Sequence, residues 1–315
     1  MFRKKHHARH FLSVLDLDPQ EIKNILKLTA NIKKHPKHYK SKLQSKTLLM
    51  IFQTPSLRTR ISFEIAMNQM GGSALNYSIQ NSPLAKGKET VEDMSRVISR
   101  YADLACLRIY DHKELEKFSH VSHIPIINAM TNLEHPCQIL GDLFTIYEQH
   151  KKLEDLKLTF AGDCNNNITH SLLLGCTLTG MDISLACPKE EEFLPSQEIL
   201  KKARNIGSKT GADVKVFQDP KKAIKGADII YTDSWMSYRI DPKKHGARAK
   251  ILKKYQVNQE LLKKAEPHTL FMHNLPAQRG EEVTDDVLDG KRSMVLDQAE
   301  NRLHVQKTII LGLLR

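Results

Sequence analysis

The run "LLMIFQTPSLRTRISFEIAMNQMGG", residues 48–72, passes from an apolar stretch through a hydroxyl- and arginine-rich turn into a segment of helical period. Leu48 to Phe52 has the continuous apolar character of a buried strand. Beyond it, Ile61, Phe63, Ile65, Ala66 and Met70 make a helical stripe closed by Gly71-Gly72. The intervening "TPSLRTR" therefore reads as a strand-to-helix turn. A helix N-terminus offers unpaired backbone N–H groups and the positive end of its dipole, which together attract an anion. Ser56, Arg58 and Thr59 would add donors aimed at the same point. The same residues also suit a purely structural turn, with Ser56 as N-cap and the two arginines solvated. The local pattern alone leaves both readings open.

The same alternation continues along the chain. "TLLMIF", "ALNYSI", "LACLRIY" and "IPIINA" punctuate the first half, and "LKLTFAGD", "DISLACP", "DVKVFQD", "ADIIYTD" and "TLFMHNLP" the second. Short apolar strands separated by helices predict parallel sheets covered on both faces. The expectation is an α/β protein of two doubly wound parallel-sheet domains, residues 1–148 and 149–315. The helical segment "LEHPCQILGDLFTIYEQHKKLEDL" joins them, and the final "DQAENRLHVQKTIILGLL" is a helix that packs back on the first domain.

A length of 315 residues suits two cores rather than one. Hydrophobic content of 40% and charged content of 27% are those of an ordinary globular protein. Apolar runs fall well short of the roughly 20 residues of a membrane span, so no membrane partner is expected. The opening "MFRKKHHARHF" lacks the apolar stretch of a secretory signal. Five cysteines without a CxxC pair predict reduced thiols and a cytoplasmic protein. The formal charge of +12 is spread along helices with few aromatics between the lysines, which argues against nucleic acid and for a solvated basic surface that concentrates an anionic substrate.

In open parallel sheets, ligands bind beyond the carboxyl ends of the strands. Those ends carry Ser56 to Arg60, Arg108, His135 with Gln138, Gly162 to Asn167, Asp233 with Ser237, and His273 to Pro276. Arg58 and Arg108 suit a phosphate held bidentately. His135 and Gln138, one helical turn apart, can donate to a carbonyl oxygen and accept from an amide nitrogen. No Gly-x-x-x-x-Gly-Lys loop is present, "AGDCNNN" is too poor in glycine for a dinucleotide fingerprint, and no nucleophile motif is marked. What remains is a site for a small phosphorylated carbonyl compound with an amine positioned against it, catalysed by orientation and charge stabilisation.

"TPSLRTRISFE", "HPCQILGDL", "AGDCNNN", "YTDSWMS", "FMHNLPAQRGEEV" and "DQAENRLH" resemble, in order, the signature segments of the aspartate/ornithine carbamoyltransferase superfamily, and "HNLPAQRGEEV" resembles its ornithine branch. The resemblance implies transfer of a carbamoyl group from carbamoyl phosphate to ornithine, with the donor in the first domain and the amine in the second. It implies that Ser56, Leu57, Arg58 and Thr59 with Arg108 hold the phosphate, and that His135 and Arg58 polarise the carbonyl. Gln138 and the main-chain carbonyls of Asn274 and Leu275 would meet the carbamoyl nitrogen, with Arg302 reaching in from the final helix. Asn167, Asp233, Ser237, Tyr238 and Arg239 would serve the amino acid. It implies no metal or organic cofactor, and a homotrimer or a multiple of trimers. On that reading Lys86 and Lys88 either reach a neighbouring subunit's phosphate or lie on a solvated loop.

Three departures from the family pattern stand out. Leu57 replaces a threonine, which removes one hydroxyl but keeps the backbone N–H. Asn274 stands where the family usually has cysteine, and Ser237-Tyr238-Arg239 replaces Ser-Met-Gly. Putrescine carbamoyltransferases also vary at that last position. Another amine (putrescine, lysine or an acylated ornithine) is therefore an alternative acceptor, and a catalytically silent carbamoyl phosphate-binding homologue is a third reading.

Overall fold

A computed structural model describes residues 8–81, 87–236 and 240–314. It divides into two compact units, Met1–Phe144 with Glu300–Arg315, and Thr145–Ala299.

The first unit contains helix α1 (Pro19–Lys34), strand β1 (Thr47–Phe52), α2 (Leu57–Gln69), β2 (Ser73–Ser78), α3 (Val91–Ile98), β3 (Leu104–Arg108), α4 (His112–His120) and β4 (Ile126–Met130). Helix α5 (Pro136–His150) begins in this unit and carries the chain into the second. The strands form one parallel sheet in the order β2-β1-β3-β4. Every residue of β4 is buried although it ends the sheet, because Phe11 pairs along its outer side, its N–H donating to the Ile126 carbonyl at 2.8 Å. The order reverses between β1 and β3, whose last residues Phe52 and Arg108 are paired in register. That switch point is where open α/β sheets leave a crevice for ligands.

The second unit contains β5 (Lys157–Ala161), α6 (Asn167–Leu178), β6 (Asp182–Ala186), α7 (Gln197–Thr210), β7 (Val214–Phe217) and α8 (Pro220–Ala223). It continues with β8 (Ile229–Tyr231), α9 (His245–Leu252), α10 (Gln259–Leu262), β9 (Leu270–Met272) and α11 (Asp285–Leu288). Its parallel sheet runs β7-β6-β5-β8-β9 and reverses between β5 and β8. The closing helix α12 (Val295–Leu313) returns the chain to the first unit, where the Thr308 and Thr29 hydroxyls meet at 2.8 Å.

The two doubly wound parallel sheets are those read from the sequence. One detail differs. On α2 the buried face is Phe63, Ala66, Met67 and Met70, the i, i+3, i+4, i+7 pattern of a single helical stripe, whereas Ile61 is 48% exposed. Ile61 lies two positions before Phe63, which turns it away from that stripe. Gly71, at φ +85°, ends the helix in a left-handed conformation, and a Cβ there would come within 2.8 Å of the Lys40 carbonyl oxygen.

Candidate functional site

In the first unit, the predicted residues gather at the carboxyl ends of β1 and β3. Ser56 is the N-cap of α2, its hydroxyl accepting from the Thr59 N–H at 3.4 Å. The structural N-cap reading of this turn therefore holds, and it leaves the helix N-terminus available to an anion. Leu57 is exposed, Arg58 half-buried and Thr59 fully buried. Arg60 is exposed and lies 3.9 Å from Glu64, the geometry of a surface ion pair.

The Thr59 hydroxyl is the hub. It accepts from Arg302 Nη2 at 2.7 Å and from Arg108 Nη1 at 3.4 Å, while Arg108 Nε reaches Thr54 Oγ1 at 3.3 Å. Arg302 comes from α12 and can approach because residue 141 of α5 is glycine: a Cβ there would stand 3.3 Å from Arg302 Cγ. Arg302 is 3% exposed, and its Nε is buried without a hydrogen-bond partner among the described residues. Burial, then the charges of Arg108 and Arg58, bring its pKa down to about 10. The three guanidinium groups form a cationic cluster at the N-terminus of α2.

His135 precedes α5 and is buried. Burial, reinforced by Arg302 and Arg108, holds its pKa well below the usual imidazole value, so it is neutral at neutral pH and offers one N–H and one lone pair. Gln138, one turn along, donates to Asp142 Oδ1 at 2.8 Å, which leaves its amide oxygen turned away from that bond.

In the second unit, the loop after β5 and the segments after β8 and β9 carry the remaining predicted residues. Asn166 caps α6 by accepting from Thr169 N–H at 2.8 Å, which puts Asn167 at the first helical position. Asp233 Oδ1 accepts from the Ser234 N–H at 2.8 Å. Burial raises the Asp233 pKa, opposed by His273, the Ser234 N–H and the neighbouring Asn274 amide. Leu275 sits at φ +53°, a strained left-handed backbone for a branched side chain. Ser237, Tyr238, Arg239 and Lys86 lie outside the described residues.

Two groups that hold this second set, Glu282 and Arg248, were not legible in the sequence. His273 Nδ1 accepts from the Leu275 N–H at 2.9 Å, so its proton is on Nε2, which faces the buried Glu282 Oε1 at 3.2 Å. That pair fixes the Asn274-Leu275 backbone. Arg248 of α9, 5% exposed, pairs with Asp163 after β5 and with Glu192 at 2.9 Å, and its guanidinium lies 4.6 Å from the Phe193 ring centroid. Burial pushes the Asp163 carboxyl up to about 6 despite that guanidinium.

Two units, each with its ligand groups at a sheet switch point, one cationic and the other built around a carboxylate, describe a group-transfer enzyme with a donor half and an acceptor half. Residues 9–148 match the aspartate/ornithine carbamoyltransferase carbamoyl-P binding domain, and residues 154–313 match the Asp/Orn binding domain of the same family. The chain belongs to the aspartate/ornithine carbamoyltransferase family. It is 45% identical over 310 residues to the ornithine carbamoyltransferase of Archaeoglobus fulgidus, covering 97% of each chain. It is 43% identical to that of Pyrococcus abyssi, over 98% of this chain and 96% of the other. The solved ornithine carbamoyltransferase of Pyrococcus furiosus superposes with a TM-score of 0.92 at 42% identity, over 98% of this chain and 97% of that one. No helix among the described residues is long and apolar enough to cross a membrane.

Proposed function

We propose that this chain transfers the carbamoyl group of carbamoyl phosphate to the side-chain amine of ornithine, giving citrulline and phosphate. The observation that carries the reading is the convergence of Arg108 and Arg302 on the Thr59 hydroxyl at the N-terminus of α2. Similarity to ornithine carbamoyltransferases along nearly the whole chain supports the choice of acceptor.

The donor's phosphate occupies the cradle of Ser56, Leu57, Arg58 and Thr59 with Arg108, and Arg302 joins it. A neutral His135 N–H and the Arg58 guanidinium draw charge onto the carbonyl oxygen. Gln138 and the main-chain carbonyls of Asn274 and Leu275 accept from the carbamoyl nitrogen. Asp233 and Asn167 hold the amino acid's α-ammonium and carboxylate, with Ser237, Tyr238 and Arg239 completing the acceptor side. The unprotonated amine forms a C–N bond to the carbonyl carbon, the C–O bond to phosphorus breaks, and phosphate leaves with the amine's proton. Residues 1–148 thus serve the donor and 149–315 the acceptor, with α12 lending Arg302 to the donor side. The assembly is a homotrimer or a multiple of trimers in the cytoplasm, a reading supported by Leu75 and Tyr77 exposed on edge strand β2 and by cysteines that are all unpaired.

The Asn274 amide beside Asp233 favours a second reading, a different amine acceptor, because the family's usual cysteine could not offer the same amide donor. Phosphate release from carbamoyl phosphate with ornithine, putrescine, lysine and N-acetylornithine separates the two. The primary reading expects ornithine to have the highest kcat/KM.

A further inference from the structure

A second basic pocket of about 570 Å³ lies in the first unit, walled by α1, the turn after it, the end of α2 and α12. Its lining carries four lysines (Lys33, Lys37, Lys40 and Lys307) against a single acidic group, Glu300, and no arginine. None of these residues belongs to the donor or acceptor set.

Lys307 is the informative one. It is 3% exposed, yet its ammonium donates only to a neutral amide oxygen, that of Gln69 at 2.5 Å, and no carboxylate among the described residues pairs with it. Lys33 is different: it donates to Asn301 at 2.8 Å and lies 3.7 Å from Glu300. A buried cation with only neutral company costs several kcal/mol unless something compensates it. Here burial also draws the Lys307 pKa down. Lys37 and Lys40 stand exposed at the rim, where they add to the positive potential over the opening.

The lining also names a chemistry. Four ammonium groups against one carboxylate select an anion, and a phosphate monoester, with up to two charges on three acceptor oxygens, can meet several of these point charges at once. The volume is within the range of small-molecule sites and exceeds what an inorganic anion fills. Leu303 and the Tyr39 ring offer apolar surface for a carbon skeleton, and Asn68 an amide for its hydroxyls. We propose that the pocket lined by Lys37, Lys40 and Lys307 is a binding site for a small organic phosphate ester, separate from the carbamoyl phosphate cradle.

The test uses ribose 5-phosphate as probe, with ribose as the uncharged control, in calorimetry on the full chain carrying Arg58→Ala, which disables the cradle. Binding of ribose 5-phosphate but not ribose is expected. Adding Lys307→Met should weaken it at least tenfold. Without probe, the Lys307→Met protein should melt no lower than its parent, because an uncompensated charge has gone, and the probe should raise the Tm of the parent alone. Should Lys307→Met fail to fold, Lys37→Ser/Lys40→Ser at the exposed rim should weaken binding with the Tm unchanged. No binding to the Arg58→Ala protein, or binding indifferent to both sets of substitutions, would overturn the proposal.

Discussion

Arg302 Nη2 donates to the Thr59 hydroxyl at 2.7 Å although 243 residues of sequence separate them. Arg108 donates to the same oxygen at 3.4 Å. A hydroxyl has one proton and two lone pairs. With both lone pairs turned to guanidinium groups, its own proton is left for a third partner, which on the proposed reading is the donor's phosphate. Thr59→Val keeps the shape and removes the hub. Each hydrogen bond to a charged group contributes about 1.5–3 kcal/mol, so KM for carbamoyl phosphate should rise at least tenfold. The circular dichroism spectrum and KM for ornithine should stay close to those of the parent.

Arg58→Ala removes a charge-assisted donor from the mouth of the cradle. Carbamoyl phosphate turnover should be abolished with the fold intact, and calorimetry should show binding much weaker than in the parent. Equal affinity would remove Arg58 from the phosphate site. Arg60, paired only at 3.9 Å with Glu64 on the exposed side of α2, should behave differently: Arg60→Ala should leave binding nearly unchanged and cost at most about 0.5 kcal/mol of stability.

Burial raises the Asp233 pKa above the ordinary 3.8, and the neighbouring Asn274 amide works against that rise by favouring the carboxylate. A protonated Asp233 cannot pair with an ammonium group. KM for the acceptor should therefore climb as pH falls, beginning at a higher pH than an ordinary aspartate would give. Asn274→Ala removes a donor to the charged form, so the climb should begin at higher pH still. Asn274→Cys should in addition shift relative kcat/KM toward ornithine among the amines. His135 should not appear as an acid limb near pH 6.5, since its pKa lies well below that value. A pH profile identical in Asn274→Ala and parent would remove Asn274 from the control of Asp233.

The segment Ser237-Tyr238-Arg239 supports a prediction from sequence alone. A cation at 239 would repel a diamine and attract a carboxylate, an effect of roughly 1–3 kcal/mol if the pair is shielded from water. Arg239→Gly should raise KM for ornithine and lower the ornithine-to-putrescine ratio of kcat/KM. An unchanged KM would mean that the guanidinium does not meet the acceptor.

Much of this was readable in the chain. Each of the nine apolar runs corresponds to a strand: seven are largely buried on both faces and need no partner information to be recognised, while the less buried end strands β2 and β7 were legible from the alternation with helices. Ser56, Arg58, Arg108 and His135 could be placed at one edge of the first sheet because they end or follow parallel strands, where open α/β sheets carry their ligand groups. The α2 stripe was read imperfectly, since Ile61 is apolar but lies off the face that Met67 completes. Arg248 and Glu282 carried no local signal. Arg248 reads as one more cation in "KKHGARAK", and only the fold brings it to Asp163, 85 residues away. The pairing of Glu282 with His273 likewise depends on how the chain turns after β9.

The central claim is that the carbamoyl carbon ends on the side-chain nitrogen of ornithine. The direct measurement is NMR of the products formed from 13C-labelled carbamoyl phosphate and ornithine by the purified chain. The account predicts one labelled ureido carbon, that of citrulline, with phosphate released in equal amount, and no such product from the Arg58→Ala protein. Label recovered only in the hydrolysis products of carbamoyl phosphate, at a rate indifferent to ornithine, would contradict it.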